Sequence, residues 1–262
     1  MTHTIGMISL GCAKNQVNAE HMLWLLRQAG YEISPDPDGA ELVIVNTCGF
    51  IESAKTEAID NILAMAQLKA EGRIQKILVT GCLAQRYQEE ILKELPEVDG
   101  VLGTGSYYDV ANAVGQVLSG KRYKRFDDIN ADQSEDGRIL TTPEYYAYLK
   151  IAEGCDNHCA YCVIPKLRGK LRSRPMEDLI KEAEQLVSDG VKELIVVAQD
   201  TSRYGLDLYG ERKLAELLRQ LPSIVELAML CLGGKEEPAP RGIPRELIAA
   251  ACALLGRDFR RP

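Results

Sequence analysis

Cys155, Cys159 and Cys162 stand in the stretch Glu153-Gly-Cys-Asp-Asn-His-Cys-Ala-Tyr-Cys162, a C-x3-C-x2-C triad just beyond an apolar run. Three thiolates this close can hold three irons of a 4Fe-4S cube while the fourth iron keeps an open position. An open iron can bind and reductively cleave S-adenosylmethionine, whereas four protein ligands favour electron transfer or a structural role. Zinc is the competing occupant, but it usually takes a second cysteine pair, and no other close pair occurs in the sequence. His158 lies inside the loop and is not needed as a ligand where three cysteines suffice.

A second set of cysteines is spread along the chain. Cys12, Cys48 and Cys82 each follow an apolar run and precede a helical pattern, in Leu10-Gly-Cys, Asn46-Thr-Cys-Gly and Thr80-Gly-Cys. Loops at the carboxyl ends of parallel strands converge on one crevice, so the three can meet although they are far apart in sequence. Helix N-termini there would offer N–H groups to a thiolate or sulfide and lower the thiol pKa. Gly11, Gly49 and Gly81 would permit tight turns and close approach. The alternative is that each cysteine simply packs, as this residue type often does. Cys231 and Cys252 have no comparable context and read as ordinary thiols.

The scaffold that must position these residues is legible in the periodicity. Strands are expected at 5–10, 41–46, 77–80 and 101–102, and helices at 18–28, 52–68, 85–95 and 108–118. That alternation predicts an α/β fold, an N-terminal open parallel sheet domain of flavodoxin-like size over residues 1–120. Residues 121–144 are polar, with five acidic residues between Asp127 and Asp136, and read as a linker or an edge excursion. A second unit over residues 145–230 runs strand (148–152), cysteine loop, basic segment, helix from Pro175, strand (193–198), loop, helix (214–221), strand (224–230). This is how a (β/α) barrel starts, although three units do not close one. The tail, residues 231–262, is turn-rich, with one short helix expected at 246–255.

Bulk properties narrow the function. With 26% charged and 46% hydrophobic residues the chain reads as a globular protein. A net charge of -7 argues against a general basic field for nucleic acid, so free DNA is not an expected partner. No apolar run reaches membrane-spanning length, and the first ten residues read as a strand and not as a signal peptide. Eight cysteines without a leader imply a reducing compartment, hence a cytoplasmic location.

Taken together, Gly11-Cys-Ala-Lys-Asn15, Asn46-Thr-Cys-Gly-Phe50, Thr80-Gly-Cys-Leu-Ala84, Cys155 to Cys162, Arg168 to Arg174 and Ala198-Gln-Asp-Thr-Ser-Arg-Tyr-Gly205 carry a family resemblance. The chain resembles the radical S-adenosylmethionine methylthiotransferases over about residues 5 to 228, most nearly the branch acting on an aspartate of ribosomal protein uS12. A sister branch acts on adenosine in transfer RNA; Cys12-Ala-Lys-Asn-Gln-Val favours the ribosomal-protein branch. The resemblance implies a radical SAM (β/α) barrel and two 4Fe-4S clusters. One would be an auxiliary cluster on Cys12, Cys48 and Cys82, the other a cofactor-cleaving cluster on Cys155, Cys159 and Cys162. It further implies conversion of -H to -SCH3 at the beta-carbon of the aspartate. The expected partners are uS12 or the small ribosomal subunit, and an electron donor such as flavodoxin or ferredoxin.

The same resemblance suggests cofactor contacts. Tyr161, between two ligands, is placed to pack near the adenine of S-adenosylmethionine or to cap the cluster. Arg168, Arg172 and Arg174 could meet the cofactor carboxylate, the anionic clusters or an acidic substrate, or form a solvated charge run. Gln199, Asp200, Thr201 and Ser202 end the second barrel strand, at the face where a barrel carries its site. Glu20 and Asn15 are candidates for ordering the N-terminal crevice, or for a helix surface. No side chain is assigned as catalytic. Asn18 stands where the family usually has aspartate, and the match fades near Leu230. Family members usually complete the barrel and add a small β-domain called TRAM, so the chain reads as truncated. A partial iron–sulfur or zinc-binding fragment is the rival to an enzyme.

Overall fold

A computed structural model describes residues 3–131, 137–221 and 230–233. The chain divides into two compact units, the first made of Met1–Thr141 with His158–Gly169, the second of Thr142–Asn157 with Lys170–Pro262.

The first unit alternates strand and helix: β1 (Thr4–Ser9), α1 (Ala13–Gln28), β2 (Glu32–Ser34), β3 (Leu42–Thr47), α2 (Glu52–Ala70), β4 (Lys76–Gly81), α3 (Cys82–Tyr87), α4 (Glu89–Glu94), β5 (Gly100–Leu102), α5 (Val110–Leu118) and β6 (Tyr123–Arg125). A further short helix, α6 (Ile164–Arg168), joins it from beyond the cysteine triad. All six strands are parallel in the order β2-β1-β3-β4-β5-β6. This is the doubly wound arrangement whose ligand crevice opens between β1 and β3, where the strand order reverses.

Both faces of the sheet are covered, which explains why β3 and β4 read as unbroken apolar runs. Val43, Val45, Ile77 and Val79 pack with Ile62 and Met65 of α2 and Ile91 of α4 on one face. Leu42, Ile44 and Leu78 pack on the other with Met22 and Leu26 of α1 and Val110, Val114 and Val117 of α5. The period of two along each strand sends alternate residues to opposite layers. Each such fully buried side chain contributes roughly 1.5–3 kcal/mol.

Several expected boundaries move. Helix α1 begins at Ala13, directly after Cys12, and not at residue 18. The helix expected at 85–95 is two, α3 and α4, broken at Gln88, whose φ of 46° no continuous helix accepts. The supposed linker starts as structure: residues 123–125 form the edge strand β6. Its half-exposed residues lack an apolar period because charge fixes them. Arg125 pairs with Asp109 at 2.8 Å and with Asp127 at 2.7 Å. Further on, fully buried Glu20 of α1 accepts from the backbone N and Oγ1 of Thr141 at 2.9 and 3.0 Å, and lies 3.4 Å from Arg138. That strap, and not a solvated helix surface, is the role the structure gives Glu20.

The second unit contains β7 (Tyr146–Lys150), β8 (Ala152–Glu153), β9 (Arg172–Ser173), α7 (Met176–Ser188), β10 (Glu193–Val197), α8 (Leu206–Tyr209), α9 (Leu214–Gln220) and β11 (Leu230–Gly233). Strands β11, β10 and β7 form a parallel sheet in that order, and β8 pairs antiparallel with β9. The strand expected at 148–152 therefore divides. Ile151 donates to Val197 O, and the chain then switches to a separate ribbon. Apolar residues at helical spacing are buried on both helices, Leu179, Ala183 and Leu186 on α7, which packs on β7, and Leu214, Leu217 and Leu218 on α9. The strand expected at 224–230 is observed at Leu230–Gly233, while 224–229, the expected helix at 246–255 and Cys252 lie outside the described residues. Among the described residues no helix is long and apolar enough to cross a membrane.

Candidate metal centres

In the first unit the three expected cysteines do come to the same, carboxyl, end of the sheet's strands. Cys12 is the residue before α1, Cys48 follows β3, and Cys82 opens α3 directly after β4. The glycines show how closely the loops approach. A Cβ added at Gly11 would lie 2.6 Å from Cβ and 3.0 Å from Sγ of Cys48. A Cβ at Gly49 would lie 2.9 Å from the backbone of Leu83, and one at Gly81 only 2.3 Å from Thr47 O. Cys12 is exposed, Cys48 half-buried and Cys82 buried, and all three are free thiols.

Asparagine side chains lock this end. Asn15, buried on α1, donates through Nδ2 to Leu10 O at 2.7 Å and to Thr47 O at 3.3 Å. Asn46 returns the contact, donating to Asn15 O at 2.8 Å and to Ser9 Oγ at 3.2 Å. The loops after β1 and β3 are thus tied by buried amides, so Asn15 does order the crevice.

The electrostatics differ from the expectation. Helix N-termini were expected to lower the thiol pKa, yet burial pushes the Cys82 thiol up. Arg168 opposes that rise, while Cys48 and Cys12 add to it as neighbouring thiols. Among the described residues no three His, Cys, Asp or Glu side chains close to metal-ligating distance. What the structure places here is three free thiols near the carboxyl ends of β1, β3 and β4, with close-approach glycines between them and the Arg168 guanidinium at one sulfur, a donor set of the soft kind that could suit an iron–sulfur group.

The C-x3-C-x2-C loop is shared between the units in sequence, Cys155 in the second and Cys159 and Cys162 in the first. Cys159 and Cys162 bracket a tight turn in which Cys162 N donates to Cys159 O at 2.9 Å. His158 adopts a φ of 47°, and Tyr161 stands 78% exposed, so its ring is open to a ligand. Within the second unit, side chains that the sequence reading passed over hold the loop's first half. Asp156 accepts from Leu171 N at 3.1 Å. Asn157 donates to Asp200 Oδ2 at 2.7 Å and accepts from Arg203 at 2.6 Å. Their only signal in sequence was position beside Cys155.

The other expected cofactor residues end up in varied surroundings. Gln199 donates to Glu153 at 2.6 Å, leaving its buried Oε1 with no hydrogen-bond partner among the described residues. Asp200 turns back to accept from Ser202 N and Oγ, capping a short turn at Thr201–Arg203. Arg172 donates to Lys170 O at 3.1 Å. Arg174 pairs with Glu182 at 2.6 Å and donates to Lys150 O at 3.0 Å, so it braces the base of α7.

Comparison with known proteins gives two segment matches and a set of relatives. Residues 4–103 match the family described as Uncharacterized protein family UPF0004, and residues 149–251 match the Radical SAM superfamily. The chain thus carries a UPF0004 segment followed by a radical SAM segment. It is 52% identical over 221 residues to the ribosomal protein uS12 methylthiotransferase RimO of Clostridioides difficile (strain 630), spanning 84% of this chain and 50% of that protein. Against the RimO of Desulforamulus reducens it is 51% identical over 231 residues, spanning 87% of this chain and 52% of that one. The chain therefore spans about half the length of the curated relatives it matches. Among solved structures, the radical S-adenosylmethionine methyltransferase TsrM from Kitasatospora setae superposes with a TM-score of 0.60 at 13% identity, covering 95% of this chain and 58% of that one. That likeness concerns the fold. Membership of the radical SAM superfamily carries with it S-adenosylmethionine and iron–sulfur chemistry as the general cofactor class.

Proposed function

We propose that this chain is the cluster-bearing part of a radical S-adenosylmethionine methylthiotransferase acting on ribosomal protein uS12. The observation that carries this reading is the convergence of Cys12, Cys48 and Cys82 at one end of the sheet, in a chain whose other cysteine triad has the radical SAM spacing. Identity of 52% over 221 residues to a uS12 methylthiotransferase supports uS12 as the substrate, and the family resemblance implies an aspartate whose -H becomes -SCH3. Cys12, Cys48 and Cys82 would hold an auxiliary 4Fe-4S cluster, and Cys155, Cys159 and Cys162 a second one that takes S-adenosylmethionine at its open iron. When bound, these groups would supply reductive cleavage of the cofactor and sulfur for capture of a substrate carbon radical.

The protein's own part is placement. Three thiolates per cluster leave one iron corner free for a non-protein ligand. The hydrogen bonds of Asn157 and Asp156 hold the cysteine loop so that the cofactor meets a prepared surface. Within the second unit, the orphaned Oε1 of Gln199 is an acceptor suited to the cofactor's ammonium group; the family resemblance, and not the geometry, offers the exposed ring of Tyr161 to its adenine. Arg172 supplies a cation for the carboxylate. Arg174 keeps its partner Glu182, and its contribution is to fix the end of β7 at Lys150, whose side chain pairs with Glu153 of β8. A one-electron donor such as flavodoxin or ferredoxin would serve the reductive step, in the cytoplasm.

Anaerobic reconstitution with iron and sulfide tests the assignment. It predicts about eight irons per chain, reductant-dependent 5'-deoxyadenosine, and an -SCH3 mass increment on a uS12 peptide. About four irons without cofactor cleavage would overturn it.

A further inference from the structure

Arg168 ends α6 and is 3% exposed, among the most deeply buried charged side chains of the first unit. Its guanidinium grips one sulfur with two donors, Nε at 3.3 Å and Nη2 at 3.2 Å from Sγ of Cys82. Nη2 also donates to Oδ1 of Asn15 at 2.8 Å, and the group lies over the Tyr107 ring at 5.9 Å from its centroid. The helix that carries it is fixed independently. Thr104 Oγ1 donates to Leu167 O at 2.6 Å, and the Leu167 side chain is 2% exposed.

The sequence alone offered Arg168 to the cofactor carboxylate, the clusters or an acidic substrate. The geometry gives it a narrower task. A guanidinium stays charged at any accessible pH, and burying one is costly unless an opposite charge is near. A cluster-ligating cysteine is a thiolate, so two N–H groups aimed at one ligand sulfur become charge-assisted once metal is bound. Hydrogen bonds to ligand sulfurs, together with net charge, are what set a cluster's potential. Asn15 completes the arrangement, because the amide that ties the β1 and β3 loops also receives the arginine.

We propose that Arg168 is a positioning residue of the auxiliary site. It holds Cys82 in ligating orientation, and its charge favours the reduced, more negative state of the cluster bound there. The proposal rests on the reading that Cys82 is a cluster ligand. It extends that reading by assigning control of the N-terminal cluster to a residue lying six positions beyond the last cysteine of the other triad.

The test uses the full chain with Cys155→Ala, Cys159→Ala and Cys162→Ala, so that only one cluster remains. Arg168→Gln and Arg168→Lys are compared in this background by iron content, chelator-driven iron release and redox titration followed by electron paramagnetic resonance. The parent is expected to hold about four irons. Arg168→Gln is expected to lose iron to the chelator about tenfold more readily. Its reduced-to-oxidised ratio at a given potential should fall about tenfold, a shift of about 59 mV to the negative for one electron. Arg168→Lys keeps the charge without the fork, so it should restore most of the potential but not the iron retention. Iron binding with an unmoved potential in Arg168→Gln would overturn the proposal and leave the cluster reading intact. A parent that takes up no iron would sink both. If Arg168→Gln fails to fold, the lysine variant decides: parental iron retention refutes the positioning role, and loss of retention supports it.

Discussion

Gly81 offers the sharpest test of how closely the cysteine-bearing loops meet. It ends β4 at φ 94° and ψ -160°, a backbone region reserved essentially for glycine. A Cβ there would stand 2.3 Å from Thr47 O, 2.7 Å from Thr47 N and 2.8 Å from Asn46 Oδ1. Two of these are backbone atoms of the neighbouring strand, and Asn46 is fully buried, so nothing can swing aside. Gly81→Ala is therefore expected to cost roughly 1–3 kcal/mol in backbone strain. Overpacking adds about another 1–3 kcal/mol. The matched control is Gly72→Ala, with φ 74° but nothing within 4 Å of the added carbon. It should carry strain without collision, on the order of 1 kcal/mol. Trp24, the single tryptophan of the chain, lies on α1 in the same unit, so urea titration read by its fluorescence isolates this unit's stability. Because Cys82 is the next residue, the displaced loop should also lower iron uptake after reconstitution. Should Gly81→Ala cost no more than Gly72→Ala and bind iron normally, the close approach of the β3 and β4 loops would be refuted.

Three further outcomes follow from the packing. Glu20→Gln leaves Arg138, 5% exposed at its side chain, beside a neutral partner. It should cost about 3 kcal/mol and expose residues 137–141 to proteolysis, measurable by Trp24 fluorescence and limited digestion. Asn157→Ala removes hydrogen bonds to Asp200 and Arg203. Weakening of about 1.5 kcal/mol should make amide exchange in the loop after Cys155 roughly tenfold faster, and parental exchange rates would count against that anchoring. Tyr204 is fully buried and donates to Arg174 O at 2.9 Å, and burial raises its pKa well above the usual phenol range. A raised folded-state value means its stabilisation is intact below the unfolded value of about 10 and is lost as pH climbs beyond it. Tyr204→Phe should therefore cost about 1 kcal/mol at neutral pH yet soften the alkaline loss of stability, as read by exchange protection of β10.

Much of the scaffold was legible because burial imposes a periodicity. β3 and β4 must be apolar throughout when both faces are covered, and α7 and α9 must bury apolar residues at helical spacing. Elements held by polar contacts were not legible. β2 is three residues long on an edge, β6 is fixed by Arg125, Asp109 and Asp127, and α6 is a five-residue helix anchored through Thr104 and Cys82. The break at Gln88 was invisible as well, since the apolar pattern of α3 and α4 continues through it.

Residue types and spacing by themselves pointed to the chemistry proposed: three close cysteines with one set of intervals, three distant ones at strand ends, in segments that match the UPF0004 and radical SAM patterns. Thiolates select soft metals wherever they lie, so that conclusion needs no coordinates. Which cation answers which sulfur was decided only by the tertiary structure. Arg168 and Cys82 are separated by eighty-six positions and meet because α6 packs into the first unit, while Arg174, in the same basic run, is claimed by Glu182. Local sequence records a side chain's charge and reach. Partnership depends on which surfaces the buried core brings face to face, and that is a property of the whole fold.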